Sequence, residues 1–544
     1  MLLTVREGTF LFGSSERQGE AEGLAKVAGL SQSLPASRSR GYPVYFATDP
    51  HSVLHLWEHA DESAKRALLS LREAWLASSA RDAALSVPVP QGHALLPYQR
   101  AGVAYAKDRR NVLFGDAPGL GKTIEAIALA NYRGAKRVLV VCPANVRRQW
   151  EKQIRAWSTI PRVLPYLVAK GSDGVHPQAH YVIVSYELAR DGLWSVLMGS
   201  RWGMVIIDEA HYLKTPDATR TRALFGGGEG RFKDGGICGR ADQVVALTGT
   251  PLPNRPRECY TIARALDWSA IDWMSNAHFR DRFNPGGVET SFRPDGSVRR
   301  YAWEYTGRLP ELNARLRCNF MVRRLKEDVL KDLPPKRYEL VYVDSTYDIQ
   351  KALRAERLLD IDPEDLINNG FVFDGEISTV RRLMGEAMAP QAVEHVDMRL
   401  DEGVEKLVVY YHHKSVGDYL AEHLKRHGVV RVDGSTPQSK RSGGPGTAVE
   451  VFTHDPRKRI FLAQGQAVGV GTDGLQDAAQ LAVFAEASWV HGENEQCVDR
   501  LHRMGQVGSV LAEFLVAQGS LAERILGKSI DKGRVAHTVL DGEF

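Results

Sequence analysis

A chain of 544 residues, 43% apolar and 25% charged, is long enough for two or three domains with their own cores and carries no compositional sign of disorder. A formal charge of +4 is too small for a whole-molecule field to drive nucleic-acid binding, so any such surface must be a local groove. Five scattered cysteines, an early Arg6-Glu7 pair and apolar runs of strand length argue against a disulfide frame, a zinc site, a signal peptide and a membrane span.

Residues 1–90 read as a small α+β unit. Thr9–Phe12 and Tyr42–Phe46 are predicted strands, and Ser63–Ser79 is an amphipathic helix rich in Ala and Leu. The Pro/Gly stretch Val87–Gly92 is a predicted linker. Over residues 95–267, short apolar runs alternate with helical patterns: Val112–Phe114, Val138–Val141, Tyr181–Val184, Met204–Ile207 and Val244–Leu247. That alternation predicts a parallel α/β sheet, with a glycine-rich surface loop at Gly226–Gly230 and Gly235-Gly236. Residues 268–400 read as helical and irregular, with basic patches at Arg323-Arg324 and Lys331–Arg337. Residues 401–544 carry a second α/β pattern, with strands at Leu407–Tyr411, Val429–Val432, Arg459–Leu462 and Leu481–Phe484. The predicted fold class is α/β, two parallel-sheet lobes with a small N-terminal α+β domain.

Three motifs carry chemistry. Gly119-Leu120-Gly121-Lys122-Thr123 follows a predicted strand and opens a predicted helix. There, glycines let backbone amides approach phosphate oxygens, Lys122 neutralises charge and Thr123 offers a hydroxyl to Mg²⁺. The strict pattern asks for glycine where this chain has Asp116. Asp208-Glu209-Ala210-His211 ends another buried strand, where Asp208 suits a metal and Glu209 suits activation of water. Alone, the same four residues would be a solvated acidic turn. Arg500 and Arg503, on a predicted helix, suit stabilisation of a γ-phosphate, although without the upstream motifs a surface basic helix paired with Glu493, Glu495 or Asp499 is the better reading. His176 and His180 lie four apart, but the surrounding Pro and Gly predict a loop without further ligands.

The ordered strings from Leu96 to Gly519 resemble the superfamily 2 helicase-like motors of the Swi/Snf type. Leu96-Pro97-Tyr98-Gln99 resembles the adenine-reading Q motif, Val141–Trp150 motif Ia, Val184–Glu187 motif Ib and Leu247–Pro251 motif III. Met321–Val329 followed by Leu333–Lys336 is similar to the Swi/Snf connector, and His502-Arg503-Met504-Gly505-Gln506 to the ending of motif VI. His412-His413-Lys414 and Val483–Trp489 are closest in style to the annealing-helicase (HARP-like) branch and its bacterial and phage relatives. Motif V, Gly469–Gln476, is longer than the common form.

The resemblance implies two RecA-like lobes and an ATP-dependent translocase on double-stranded or branched DNA, sequence-independent and expected as a monomer. Gln99, Gly119, Leu120, Gly121, Lys122, Thr123 and Gln496 would bind ATP, and Thr123 and Asp208 would hold Mg²⁺. Lys122, Asp208, Glu209, Arg500 and Arg503 would be catalytic. Pro143, Arg147, Ser185, Thr248, Gly249, Thr250, His413, Lys414, Ser435, Thr436 and Gly471 would contact DNA or couple it to the nucleotide. The basic clusters Arg147-Arg148, Arg323-Arg324 and Arg457–Arg459 are candidate backbone contacts, with solvated surface the plainer reading. Residues 1–90 would sense DNA structure or cap the motor. The expected compartment is the cytoplasm of a bacterial or phage-infected cell, or a eukaryotic nucleus. A strand-separating DNA or RNA helicase and a nucleotide-gated DNA-binding scaffold remain alternatives.

Overall fold

The computed structural model describes the chain except residues 7–8, 29, 48–49, 228–235, 250–254, 293–297, 305–306, 360–374, 438–439, 442–445, 466–471 and 528–544. The expected glycine-rich loop therefore lies largely outside the described residues, as do Thr250, Gly471 and the start of motif V.

Two parallel sheets dominate. The first has seven strands in the order Met321–Val322, Asn111–Phe114, Val244–Leu247, Met204–Asp208, Val138–Cys142, Tyr181–Ser185 and Pro165–Leu167. Its strands are continuous apolar runs because both faces are covered. Leu139, Val141, Val182, Val184, Val205 and Ile207 face one core with Trp202, Phe279 and Phe283. Val138, Val140, Tyr181, Ile183, Met204 and Ile206 face the other with Ile127, Leu129, Trp150 and Ile154. This period of two is the geometry of a pleated strand.

The second sheet has six strands, Lys336–Val343, Val510–Ala517, Leu481–Phe484, Leu407–Tyr411, Ile460–Gln464 and Val429–Val432, again all parallel. Leu407, Val409 and Tyr411 point to one core, while Val408 and Tyr410 point to the other. Each predicted strand of both lobes coincides with an observed one, Arg459 alone falling one residue ahead of Ile460–Gln464, so the α/β two-lobe architecture was written in the apolar runs.

The segment 268–400, expected as helical and irregular with a connector and insertions, also supplies an edge strand to each sheet. Met321–Val322 closes the edge of the first sheet beside Leu113 and Phe114. Lys336–Val343 closes the edge of the second, pairing along its whole length with Val510–Ala517. The first is too short to show periodicity, and the second carries Lys336, Arg337 and Glu339 as an exposed edge does. Among the described residues, no helix is long and apolar enough to cross a membrane.

The N-terminal unit is a four-stranded antiparallel sheet with its own core of Phe10, Phe12, Leu56 and Leu68. Its last helix, Glu62–Ser78, is capped by Asp61 and docks on the first lobe. Trp75 Nε1 donates to Asn313 Oδ1 at 2.9 Å, Arg317 Nε donates to Ser78 Oγ at 2.8 Å, and the Arg317 guanidinium lies 4.1 Å over the Trp75 ring.

Candidate active site

Strand register assembles the first half of the site. Leu247 pairs with both Phe114 and Asp208, so three strands end in one row. From that row emerge the phosphate loop, Thr248 and the Asp208-Glu209 pair. The loop turns on Gly119 (φ +87°) and Gly121 (φ +84°), left-handed conformations that side chains beyond glycine adopt only under strain. Helix Lys122–Arg133 then starts with its N-terminal amides facing the loop, as anion binding requires.

One cleft is lined by Pro118, Gly119, Gly121, Lys122, Thr123, Asp208, Glu209 and Gly249 from the first lobe. Gln496, Asp499, Arg500 and Arg503 line it from the second. Lys122 Nζ donates to Asp116 O at 2.7 Å and Ala117 O at 3.3 Å, and burial lowers its pKa against the opposing pull of Glu209 and Asp116. Burial beside Glu209 raises Asp208 to about 6, although Trp150 Nε1 donates to its Oδ2 at 2.8 Å. Burial pushes Glu209 upward too, but His211, Lys122 and Arg500 more than offset this and leave it below its ordinary value. Its carboxylate thus feels a charge from the opposite lobe.

Glu209 holds a left-handed backbone (φ 52°), fixed by Tyr186 Oη donating to Asp208 O at 2.6 Å. His211 Nδ1 lies 3.2 Å from Glu209 Oε2 and 3.0 Å from Thr248 Oγ1, joining two of the motifs. On the second lobe, helix His491–Val498 stops before the arginines. Arg500 and Arg503 ride on the following turns, not on the expected helix, because Lys326 and Lys336 hold Asp499 and Lys326 also takes the His502 carbonyl. Arg500 Nη1 donates to Thr472 O at 3.1 Å, and Arg503 pairs with Asp473 at 2.7 Å.

Gln99 does not line the cleft. Its Nε2 donates to Leu120 O at 3.2 Å and its Oε1 accepts from Leu96 N–H at 3.0 Å, so it lies beneath the loop. Leu120 is fully buried there. Asp116, the departure from the glycine pattern, accepts from Arg324 N–H at 2.9 Å and Nε at 3.1 Å, and Arg324 also bonds Glu125 and Tyr98 O. Arg324 is thus a buried clamp rather than a DNA contact. Arg459 is likewise committed, to the carbonyls of Val404 and Glu405, whereas Arg457 pairs with Asp455 and stays exposed.

The remaining candidates among the described residues do not line the cleft. Arg147 Nη1 donates to Val168 O at 2.5 Å, Ser185 Oγ accepts from Leu188 N–H at 3.3 Å, and Pro143 ends its strand. His413 caps the helix that Lys414 begins and bonds Glu486 through Nδ1 at 2.7 Å. Ser435 and Thr436 form a turn around Asp433 Oδ1, at 2.6 and 3.3 Å. Sequence reasoning missed Lys326 and Asp499, a buried pair 2.7 Å apart across the lobes; the connector string held the first and motif VI the second.

The SNF2-related domain matches residues 74–354, just over half of the chain. A Caenorhabditis elegans protein, the SWI/SNF-related matrix-associated actin-dependent regulator of chromatin subfamily A-like protein 1 homolog, is 32% identical over 446 residues, covering 78% of this chain and 59% of its own length. The Bos taurus DNA annealing helicase and endonuclease ZRANB3 is 30% identical over 482 residues, covering 82% of this chain and 41% of its own. This chain therefore spans between 41% and 59% of these two relatives. The solved Sulfolobus solfataricus SWI2/SNF2 ATPase core in complex with dsDNA is similar over 83% of this chain and 94% of that one, at 19% identity and a TM-score of 0.37, too distant to add weight to the strand order. On the extent of the domain match, the chain belongs to the SNF2-related family.

Proposed function

We propose that the chain is an ATP-driven translocase on double-stranded DNA that remodels DNA or protein–DNA complexes without obligate strand separation. One observation carries this reading: Lys122, Asp208 and Glu209 from one sheet line the same cleft as Gln496, Arg500 and Arg503 from the other. A nucleotide held there touches both lobes, so its hydrolysis changes what joins them.

In this reading Lys122 and the loop amides bind the β- and γ-phosphates of ATP, Glu209 orients the attacking water, and Arg500 and Arg503 stabilise the charge of transfer. Asp208 and Thr123 face the cleft with hard oxygen donors, a set that suits Mg²⁺, and the buried Asp208-Glu209 pair favours a cation. Mg²⁺ bound there would neutralise phosphate charge. His211 carries the state of Glu209 to Thr248. The exposed Lys414 and Ser435, with Pro143, Arg147, Ser185, His413 and Thr436, are the proposed track contacts, and Gly249 and Thr250 link them to the nucleotide. Recognition through phosphates makes binding sequence-independent and salt-sensitive. The compartment is wherever the genome lies.

Duplex-stimulated ATP turnover, lost in Lys122→Ala and Glu209→Gln, is the expected result. Triplex displacement without fork unwinding supports translocation. Robust unwinding without triplex displacement would favour a helicase, and the absence of any DNA stimulation would favour a scaffold.

A further inference from the structure

The chain leaves the first sheet at Met321–Val322 and enters the second at Lys336–Val343, so residues 323–335 bridge the two halves of the cleft. The start of the bridge is stitched to the phosphate loop: Ala117 N–H donates to Arg324 O at 3.0 Å, and Asp116 clamps Arg324. Its end is stitched to the arginine segment: Lys336 Nζ meets Glu495 at 2.6 Å and Asp499 at 3.2 Å, and His502 Nε2 lies 2.8 Å from Pro334 O. Between these anchors, Lys326 is 5% exposed, with Nζ 2.7 Å from Asp499 Oδ1 and bonded to the His502 carbonyl. Its Cε is 3.6 Å from where a Cβ on Gly119 would stand, and Arg503 Cβ is 3.1 Å from the same point. One lysine therefore bonds the residues that flank Arg500 and precede Arg503, and its stem borders the space beside Gly119 of the phosphate loop.

Stability alone does not account for such a pair. Two ions withdrawn from water lose hydration comparable with their attraction, and apolar residues of similar size pack as well. The best-attested use of a buried ionic contact is register. We infer that Lys326 is a positioning residue for ATP hydrolysis: its pair with Asp499 sets Arg500 and Arg503 against the phosphate loop. This rests on the ATPase reading above.

The test is a double-mutant cycle in the full chain, Lys326→Met, Asp499→Asn and both, reading kcat and KM for ATP with saturating duplex, binding of a fluorescent ATP analogue, and thermal midpoints. Each single change is expected to lower kcat about 10²-fold, the scale of a misplaced reacting group, while KM and analogue binding stay within about threefold. The double variant is expected to be no worse than the worse single, and Lys326→Arg to keep kcat within about threefold of wild type. Independent, multiplying losses overturn the inference, as does an unchanged kcat in Lys326→Met. A fall in midpoint that Lys326→Arg does not restore marks a structural role and also overturns it. If the wild-type chain hydrolyses no ATP, the parent reading falls and takes this one with it. If wild type is active, Lys122→Ala is dead and the Lys326 variants are unimpaired, only the positioning role falls.

Discussion

Asp116 is fully buried, and its carboxylate bonds the guanidinium of Arg324, which Glu125 also engages. A charge so enclosed is tolerable only with its partner, so removing one side leaves the others uncompensated. Arg324→Met is expected to cost about 3–5 kcal/mol of stability, read in denaturant unfolding. A loss below about 1 kcal/mol would mean that the cluster relaxes into water or shares protons. Gln99 gives a prediction about affinity. Because both ends of its amide bond the backbone of Leu96 and Leu120, Gln99→Ala is expected to weaken ATP and GTP binding by the same factor. A loss confined to ATP in competition binding would return Gln99 to reading adenine.

Asp116 also marks the limit of what the sequence shows. Lys122, Asp208 and Glu209 were legible because the phosphate loop and the acidic pair each come at or after the end of a strand whose apolar run announces itself, and a strand end fixes where the next residues go. Asp116 and Lys326 were not, because their partners lie 208 and 173 residues away. A carboxylate that pairs at that separation looks, in sequence, like any departure from a motif. The edge strands were missed for a different reason: two residues at Met321–Val322 show no period, and Pro165–Leu167 begins with a residue that cannot donate to a ladder.

At the scale of elements, the bridge between the sheets makes a prediction about pH. Burial lowers the Lys326 ammonium to about 8; Asp499 holds it up, while Lys336 and Arg503 press it down. His502, whose carbonyl accepts from Lys326, has its ring lowered to about 4 and stays neutral through this range. An unfolded lysine titrates near about 10.4, so between about 8 and 10.4 the unfolded chain binds more protons than the folded one. Stability from this group therefore rises with pH in that window, while the ion pair to Asp499 is lost. ATP turnover is expected to fall above about pH 8 without a matching fall in thermal midpoint. Lys326→Arg, which stays charged, should move that fall upward. An alkaline limb identical in wild type and Lys326→Arg would assign it elsewhere, with Lys122, itself lowered by burial, the next candidate.

For the whole molecule, two parallel sheets place their functional loops around one cleft, and a segment bonded to both sides joins them. Helix Glu62–Ser78 and its N-terminal sheet ride on the first lobe through Trp75, Ser78 and Arg317, so this unit belongs with the lobe that carries the phosphate loop. The central claim is that catalysis needs both lobes at one nucleotide. It is tested most directly by steady-state ATP turnover of Arg500→Ala with saturating duplex DNA, measured beside nucleotide binding. The expected result is a kcat at least about 10³ lower, as for loss of an arginine that stabilises phosphoryl transfer, with nucleotide still bound. Wild-type turnover in that variant would mean that the first lobe works alone, and would contradict the account.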